Sequence, residues 1–312
     1  MTDKMRTLIE QEKRTESARK DKIELQAEVI PLTARDGGAI SAHFYKSPRE
    51  GTSPTMFDIH GGGFVWGDAI LDHTYCERIR DDLGMNVISI QYRLAPDYPY
   101  PGQAEDCYDV IRYFYKNADI YGIDKDRCVV NGFSSGGNLA AIVCMMAKDS
   151  KEIEFALQVL IYPYLDLATN PKCKPGAAEA VPEDFPDLLA GFNDLYAKDD
   201  QRSLKYVSPV RASIDDLAGL PSAIIITGEK DLLCAEGQQY AALLKQAGVV
   251  VHSDTISGAY HGFMDAGLDL DYLGMIMPPD TPQAYKDILV GMANYGMEFI
   301  EKQLELGLAI TR

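Results

Sequence analysis

Six short runs rich in valine and isoleucine constrain the fold of this chain more than any other feature: Thr55–Ile59, Asn86–Tyr92, Arg127–Asn131, Ala156–Tyr162, Ala223–Thr227 and Val249–Ile256. Helical patterns separate several of them, at Ala104–Lys116, Gly136–Ala147 and Ala235–Ala247, and a last one closes the chain at Ala284–Leu304. Buried strands alternating with helices predict βα crossovers and a mostly parallel central sheet flanked by helices, an α/β fold. Two earlier strand-like runs, Glu28–Thr33 and Ile40–Tyr45, flank Asp36-Gly37-Gly38, a hairpin turn signal, and predict antiparallel strands at one edge. Residues 1–26 space isolated apolar positions helically and predict a polar N-terminal helix. Residues 164–215 carry proline, acidic residues and scattered aromatics but no strand pattern, too long a span for bare loop, and predict a small helical cap. The expectation is a single domain over 1–312, with cap elements from about 1–26 and 164–215.

Bulk properties exclude several classes. No run reaches the roughly 18 apolar residues of a membrane-spanning helix. The charged N-terminus lacks an apolar signal core, which predicts a cytoplasmic protein. The six cysteines form no CxxC pair and no metal-like spacing, so no metal site is expected. A net charge of -17 argues against nucleic acid or an anionic membrane as partner.

Gly132-Phe133-Ser134-Ser135-Gly136 lies between the run ending at Asn131 and the helix starting at Gly136. A G-x-S-x-G at a strand-to-helix turn projects its serine above the sheet as a nucleophile. A serine hydroxyl needs a base. In the chain order serine, acid, histidine, only His252 and His261 qualify. His252 lies inside a strand run, whereas His261 follows one, at the sheet edge where reaction sites gather. The acid comes from Glu229 or Asp231, which follow the run 223–227. Asp231 is the better placed, deeper in the loop, to hold the imidazole tautomer. His60-Gly61-Gly62-Gly63-Phe64 follows the run 55–59 and matches a glycine loop that donates backbone N–H groups to an oxyanion. Gly62, Gly63 and Ser135 are the expected donors, and His60 is expected to brace the loop. The segment has neither phosphate-loop spacing.

With these motifs in order, the sequence resembles the hormone-sensitive lipase family of α/β-hydrolases, including its bacterial esterases. The resemblance runs from about residue 54 to 263 through HGGGF (60–64), YRLAP (92–96), GFSSGGNLA (132–140), YP (162–163), SP (208–209), GEKDLLCAEG (228–237) and HGF (261–263). It implies the α/β-hydrolase fold, a triad of Ser134, Asp231 and His261, an oxyanion hole of Gly62, Gly63 and Ser135, and no cofactor. It also implies short- to medium-chain acyl esters, small and neutral, as substrates, and a homodimer. Phe133 and Ser135 depart from the GDSAG elbow common in the family, and Leu232 and Cys234 from its DPLRDEG acid loop. The segment before the first strand is short for the family.

Phe64, Trp66 and Phe133 are candidate pocket residues because they flank the glycine loop and the nucleophile. The long apolar segment 264–281, with Met275 and Met277, is expected either to wall the acyl pocket or contact a partner, or to pack as ordinary core. The function expected is carboxylic ester hydrolysis through an acyl-enzyme. An amidase- or deacetylase-type acyl hydrolase is the alternative, and a non-catalytic receptor a remote one.

Overall fold

The computed structural model describes residues 3–310 apart from 181, 278 and 279; of residues 3, 4, 275 and 276 it describes the backbone. Eight strands form one sheet: β1 Glu28–Thr33, β2 Ala39–Tyr45, β3 Ser53–Ile59, β4 Asn86–Gln91, β5 Ile123–Phe133, β6 Leu157–Ile161, β7 Ser222–Gly228 and β8 Val251–Ile256. Their order is β1-β2-β4-β3-β5-β6-β7-β8. The pairs β1–β2 and β2–β4 are antiparallel and all others parallel. The hairpin therefore lies at one edge of an otherwise parallel sheet, as its turn signal predicts.

The helices are α1 Asp3–Lys20, α2 His73–Leu83, α3 Gly102–Lys116, α4 Ala118–Tyr121, α5 Ser135–Ser150, α6 Phe185–Tyr196, α7 Ile214–Leu217, α8 Cys234–Gln246, α9 Phe263–Leu268, α10 Leu270–Ile276 and α11 Gln283–Leu308. Successive strand residues feed opposite faces, as the two-residue period of a strand demands. Val130, Leu160 and Ile225 join Leu139, Val110 and Leu244 on the face covered by α3, α5 and α8. Their neighbours Val129, Val159, Ile224 and Ile226 join Ile79, Leu83, Met297, Ile300 and Leu304 on the face covered by α2 and α11. The inner strands β3 to β7 are covered on both faces, so apolar residues dominate their buried stretches, with buried polar exceptions such as Asp58, Ser89 and Asn131.

The excursion between β6 and β7 holds short 3-10 turns, α6 and α7. Helix α6 buries Phe185, Leu189, Phe192 and Tyr196. Each such side chain contributes about 1.5–3 kcal/mol on burial, which holds the helix over the sheet edge. Helix α1 buries Met5 and Ile9 in the same core, and Met5 sulfur lies so close to Gly191 of α6 that a Cβ there would meet it at 2.6 Å. Among the described residues, no helix is long and apolar enough to cross a membrane.

Candidate active site

The strand order reverses direction between β3 and β5, which pair side by side with Ile59 opposite Gly132. Loops leaving two such strands at their carboxyl ends part to form a crevice. The glycine loop leaves β3 and the serine turn leaves β5 into the same space. Ser134 holds φ 51° and ψ -114°, a strained conformation for a residue with a Cβ. Its amide donates to the Ile161 carbonyl at 2.9 Å, and its carbonyl accepts from Tyr164 at 3.0 Å and Asn138 at 3.2 Å. The turn is tight enough to demand glycine on both sides. A Cβ on Gly132 would lie 2.2 Å from the Gly136 carbonyl oxygen, and one on Gly136 would lie 2.0 Å from that of Ile59.

His261 lies five residues beyond β8, and Asp231 three beyond β7. Nε2 of His261 is 2.9 Å from Ser134 Oγ, and Nδ1 is 2.7 Å from Asp231 Oδ2. The other oxygen, Oδ1, accepts from the Leu233 amide at 2.9 Å. A carboxylate only accepts, so Nδ1 carries the proton and Nε2 presents its lone pair to the serine hydroxyl. Burial pushes the imidazole towards neutrality, but the charge of Asp231 and its hydrogen bond outweigh this and hold the His261 pKa above 6.5. Glu229, the other acid considered, turns to the surface. Its Oε2 accepts from Ser257 Oγ at 2.9 Å and from the Gly258 amide at 2.7 Å, pinning the turn that leads to His261. His252 sits exposed on β8.

Gly62 and Gly63 line the cavity above Ser134. Gly62 has φ 112°, open to glycine, and its carbonyl accepts from Val65 and Trp66 at 3.1 Å each. Ser135 opens α5, so its N–H belongs to the unpaired first turn of a helix, the positive end of the dipole. His60 is buried, stacks on Tyr92 at 4.2 Å, and places Nδ1 2.7 Å from the Gly61 carbonyl. Tyr92 Oη donates to the His60 carbonyl at 2.9 Å. Burial pushes the His60 pKa down to about 4, so the ring braces the loop as a neutral group.

The cavity measures about 250 Å³. Of the candidate pocket residues, Trp66 lines it and meets Phe192 edge-on at 4.6 Å. Phe64 and Phe133 do not. Phe64 is fully buried and stacks on Tyr196 at 3.8 Å, because its φ of 69° swings the side chain into the core. Phe133, on the last residue of β5, faces the α2 side and meets Tyr75 edge-on at 4.9 Å. Met277 does not wall the pocket but packs against the Ala266, Leu273 and Leu289 cluster, the core packing that was the other expectation for this segment. The side chain of Met275 lies outside the described residues. Among the described residues of the 264–281 segment, it is the polar groups Asp265 and Tyr272 that line the cavity.

Several site residues escaped the sequence reading. Phe185, Leu188, Leu189 and Phe192 of α6 form the apolar wall, and Phe185 covers the His261 ring at 5.2 Å. Glu12, Thr15, Glu16 and Arg19 of α1 form part of a polar wall, and Glu16 Oε1 accepts from the Gly67 amide at 2.5 Å. Tyr162 donates to Asp265 Oδ2 at 2.7 Å. Glu236 of α8, five residues after Asp231, takes the amides of Leu165 and Asp166 at 2.5 and 3.1 Å and pairs with the buried Lys174. Asn138 Nδ2 donates to the Tyr164 and Val207 carbonyls at 2.7 and 3.0 Å. These bonds tie the excursion carrying α6 to the elements carrying the serine and the acid. The EG of the acid loop and the N of GGNLA are their only trace in the sequence. Among the described residues, no group of three or more His, Cys, Asp or Glu is arranged to hold a metal ion.

The family model described as alpha/beta hydrolase fold matches residues 56–265, more than half of the chain. An ethyl acetate hydrolase of Pseudomonas putida is 30% identical over 267 residues, covering 82% of each chain. A protein of Acanthamoeba polyphaga mimivirus named as an alpha/beta hydrolase is 31% identical over 212 residues, 68% of this chain, and the match spans 61% of that relative's length. Among solved structures, a hyperthermophilic esterase from Pyrobaculum calidifontis superposes with a TM-score of 0.76 at 34% identity, covering 93% of both chains.

Proposed function

This chain belongs to the alpha/beta hydrolase family, among its esterases of the hormone-sensitive lipase type, and from that premise we propose that it hydrolyses short-chain carboxylic esters through Ser134, His261 and Asp231. The observation that carries the assignment of residues is the relay of two hydrogen bonds, 2.9 Å from serine to imidazole and 2.7 Å from imidazole to carboxylate. In the first step Ser134 Oγ attacks the ester carbonyl carbon while His261 Nε2 takes its proton. Oxygen charge in the tetrahedral intermediate is met by the N–H groups of Gly62, Gly63 and Ser135, donors whose individual loss costs about 3–4 kcal/mol of transition-state stabilisation. Collapse breaks the C–O bond, and the imidazolium returns its proton to the leaving alcohol. Water, deprotonated by the same nitrogen, then attacks the acyl-enzyme and frees the acid and the serine. Asp231 keeps the ring oriented throughout and stabilises its positive form.

A cavity of about 250 Å³, small against the roughly 300–1,000 Å³ of drug-sized ligand sites, supports short acyl chains over long ones. Helix α1 and the excursion carrying α6 act in this reading as cap elements on one catalytic domain. A cytoplasmic location is supported by the six free cysteines. A homodimer is supported by the exposed Tyr285, Ile288 and Tyr295 along α11. Hydrolysis of p-nitrophenyl esters from acetate to decanoate, beside an aryl-amide series, tests the proposal. Turnover should peak at the short chains and vanish in Ser134→Ala. Full turnover by that variant, or amides preferred over esters, would sink it.

A further inference from the structure

The glycine loop is rooted in the sheet at Ile59, where β3 ends, and its path above Ser134 depends on how the residues up to Gly67 are held. The loop folds back closely on itself. Gly67 has φ 102°, and a Cβ there would lie 2.4 Å from the Gly61 carbonyl oxygen and 2.5 Å from His60 Nδ1. A Cβ on Gly62 would lie 2.1 Å from the Trp66 carbonyl oxygen. The returning limb thus packs on the backbone that presents the oxyanion donors. Contacts this tight transmit a displacement, so a shift at Gly67 reaches Gly61 and Gly62.

Two attachments hold the loop from within the catalytic domain. His60 stacks on Tyr92 at its root, and the Phe64 carbonyl accepts from the Ala95 amide at 2.9 Å and from Gln103 Nε2 at 2.8 Å. A third comes from α1. Glu16 Oε1 accepts from the Gly67 amide at 2.5 Å, and Lys20, one turn later on the same helix face, pairs with Asp68. The helix that walls the cavity with Glu12 and Thr15 therefore also grips the returning limb. A carboxylate accepting from a backbone N–H makes a charge-assisted bond, roughly twice as strong as a neutral one. None of the steps of ester hydrolysis uses this carboxylate directly. We infer that Glu16 is a positioning residue for the oxyanion hole: by holding Gly67 it sets Gly62 and Gly63 where the developing oxyanion needs them. Helix α1 is then part of the apparatus that stabilises the transition state as well as a wall for the substrate. This rests on the esterase reading above and adds one residue to it.

Glu16→Ala, Glu16→Gln and Glu16→Asp separate the bond from the charge and from the wall. Glutamine keeps an oxygen within reach of the Gly67 N–H, whereas aspartate keeps the charge but withdraws it by one methylene. With p-nitrophenyl acetate, butyrate and hexanoate, kcat of Glu16→Ala should fall by about ten- to a hundredfold, less than the roughly 10²–10³ of losing a donor outright. Acylation and deacylation both pass through an oxyanion, so both rates fall together, KM holds, and the loss is the same for all three esters. A trifluoromethyl ketone supplies a second readout. Ser134 Oγ bonds to its carbonyl carbon, the hydroxyl proton passes to His261, and the carbonyl oxygen becomes an oxyanion, so its affinity should weaken in step with kcat. Glutamine should restore kcat to within about threefold of the wild type, because a neutral acceptor retains roughly half the bond; aspartate should not. These two variants carry the test where Glu16→Ala fails to fold. Unchanged kcat in folded Glu16→Ala, a loss that varies with acyl length, or undiminished ketone affinity would overturn the inference and leave the esterase reading intact. Rescue by aspartate but not by glutamine would do the same, since charge rather than the bond would then be at work. No turnover by the wild type would overturn both.

Discussion

Replacing Asp231 by asparagine probes the relay at the point where the structure makes the sharpest demand. The Leu233 amide donates to Oδ1 at 2.9 Å, so the substituted side chain must keep its carbonyl oxygen there. Its NH2 then occupies the position of Oδ2, 2.7 Å from His261 Nδ1. Two donors cannot share that distance, and the ring answers by moving its proton to Nε2, the wrong tautomer for deprotonating Ser134. Restoring the working tautomer forfeits a hydrogen bond to a charged group, about 1.5–3 kcal/mol, and leaves a buried N–H unmet, about 1–3 kcal/mol more. The sum, about 2.5–6 kcal/mol, corresponds to a loss of about 10²–10⁴ in kcat at 1.4 kcal/mol per decade. Asp231→Ala forfeits the first contribution but does not select the wrong tautomer, so it should be the faster variant. The pH profile carries a second signature. Below its pKa, His261 holds a proton on Nε2 and cannot act as base, so kcat/KM falls as pH drops. The wild-type midpoint should lie above 6.5, because Asp231 raises it. In the asparagine variant burial is opposed only by the smaller effects of Asp265 and Glu236, so the midpoint should fall below that of the wild type. Stopped-flow measurement of the acylation burst with p-nitrophenyl butyrate across pH reads both quantities. An asparagine variant faster than the alanine one, or an acid limb that does not move, would refute the reasoning.

Gly136→Ala should abolish soluble folded protein, because a Cβ there lies 2.0 Å from a backbone oxygen of β3 that cannot move without parting the sheet; a variant that melts normally would contradict the packing described. Lys174→Met leaves the Glu236 carboxylate buried without its cation, since the two side chains are only 4% and 6% exposed. Burial raises the Glu236 pKa to about 7 even with Lys174 present. A raised carboxyl is protonated below that value, so the damage should be small near pH 5.5 and grow above 7 towards about 3–5 kcal/mol. Urea denaturation at several pH values measures it, and a penalty independent of pH would show that the charge is not its cause.

The sheet was legible because its inner strands are buried on both faces and its strands are flanked by turn residues, and the eight observed strands fall on the runs read from the sequence. Ser134, Asp231 and His261 were legible for a related reason: each lies within five residues of a strand's carboxyl end, so position along the chain translates into position at the sheet edge. What stayed hidden depends on contacts between distant segments. Arg19 and Asp269 are 250 residues apart and meet at 2.9 Å, a pairing that no local pattern encodes. Phe64 and Phe133 were misread because proximity to a motif in sequence says nothing of side-chain direction. Phe64 turns inward through its positive φ, and Phe133 takes the strand face packed against α2. The segment after His261 was read by its methionines, yet helical phase brings its polar residues to the cavity and sends Met277 to α11.

The adjacency of β3, β5, β6, β7 and β8 acts as a ruler for the chemistry. Neighbouring strands keep a spacing of about 4.8 Å, and the glycine loop, serine, acid and histidine each hang from one end of that ladder. The points from which they hang are thus spaced by backbone hydrogen bonds that no single side chain can alter. The walls that meet the substrate come instead from α1 and the excursion carrying α6, which lie outside the ladder. Substitutions in α1 or α6 can therefore remodel which ester fits without retuning the distance from Ser134 to His261, and the two properties can drift at different rates within one scaffold.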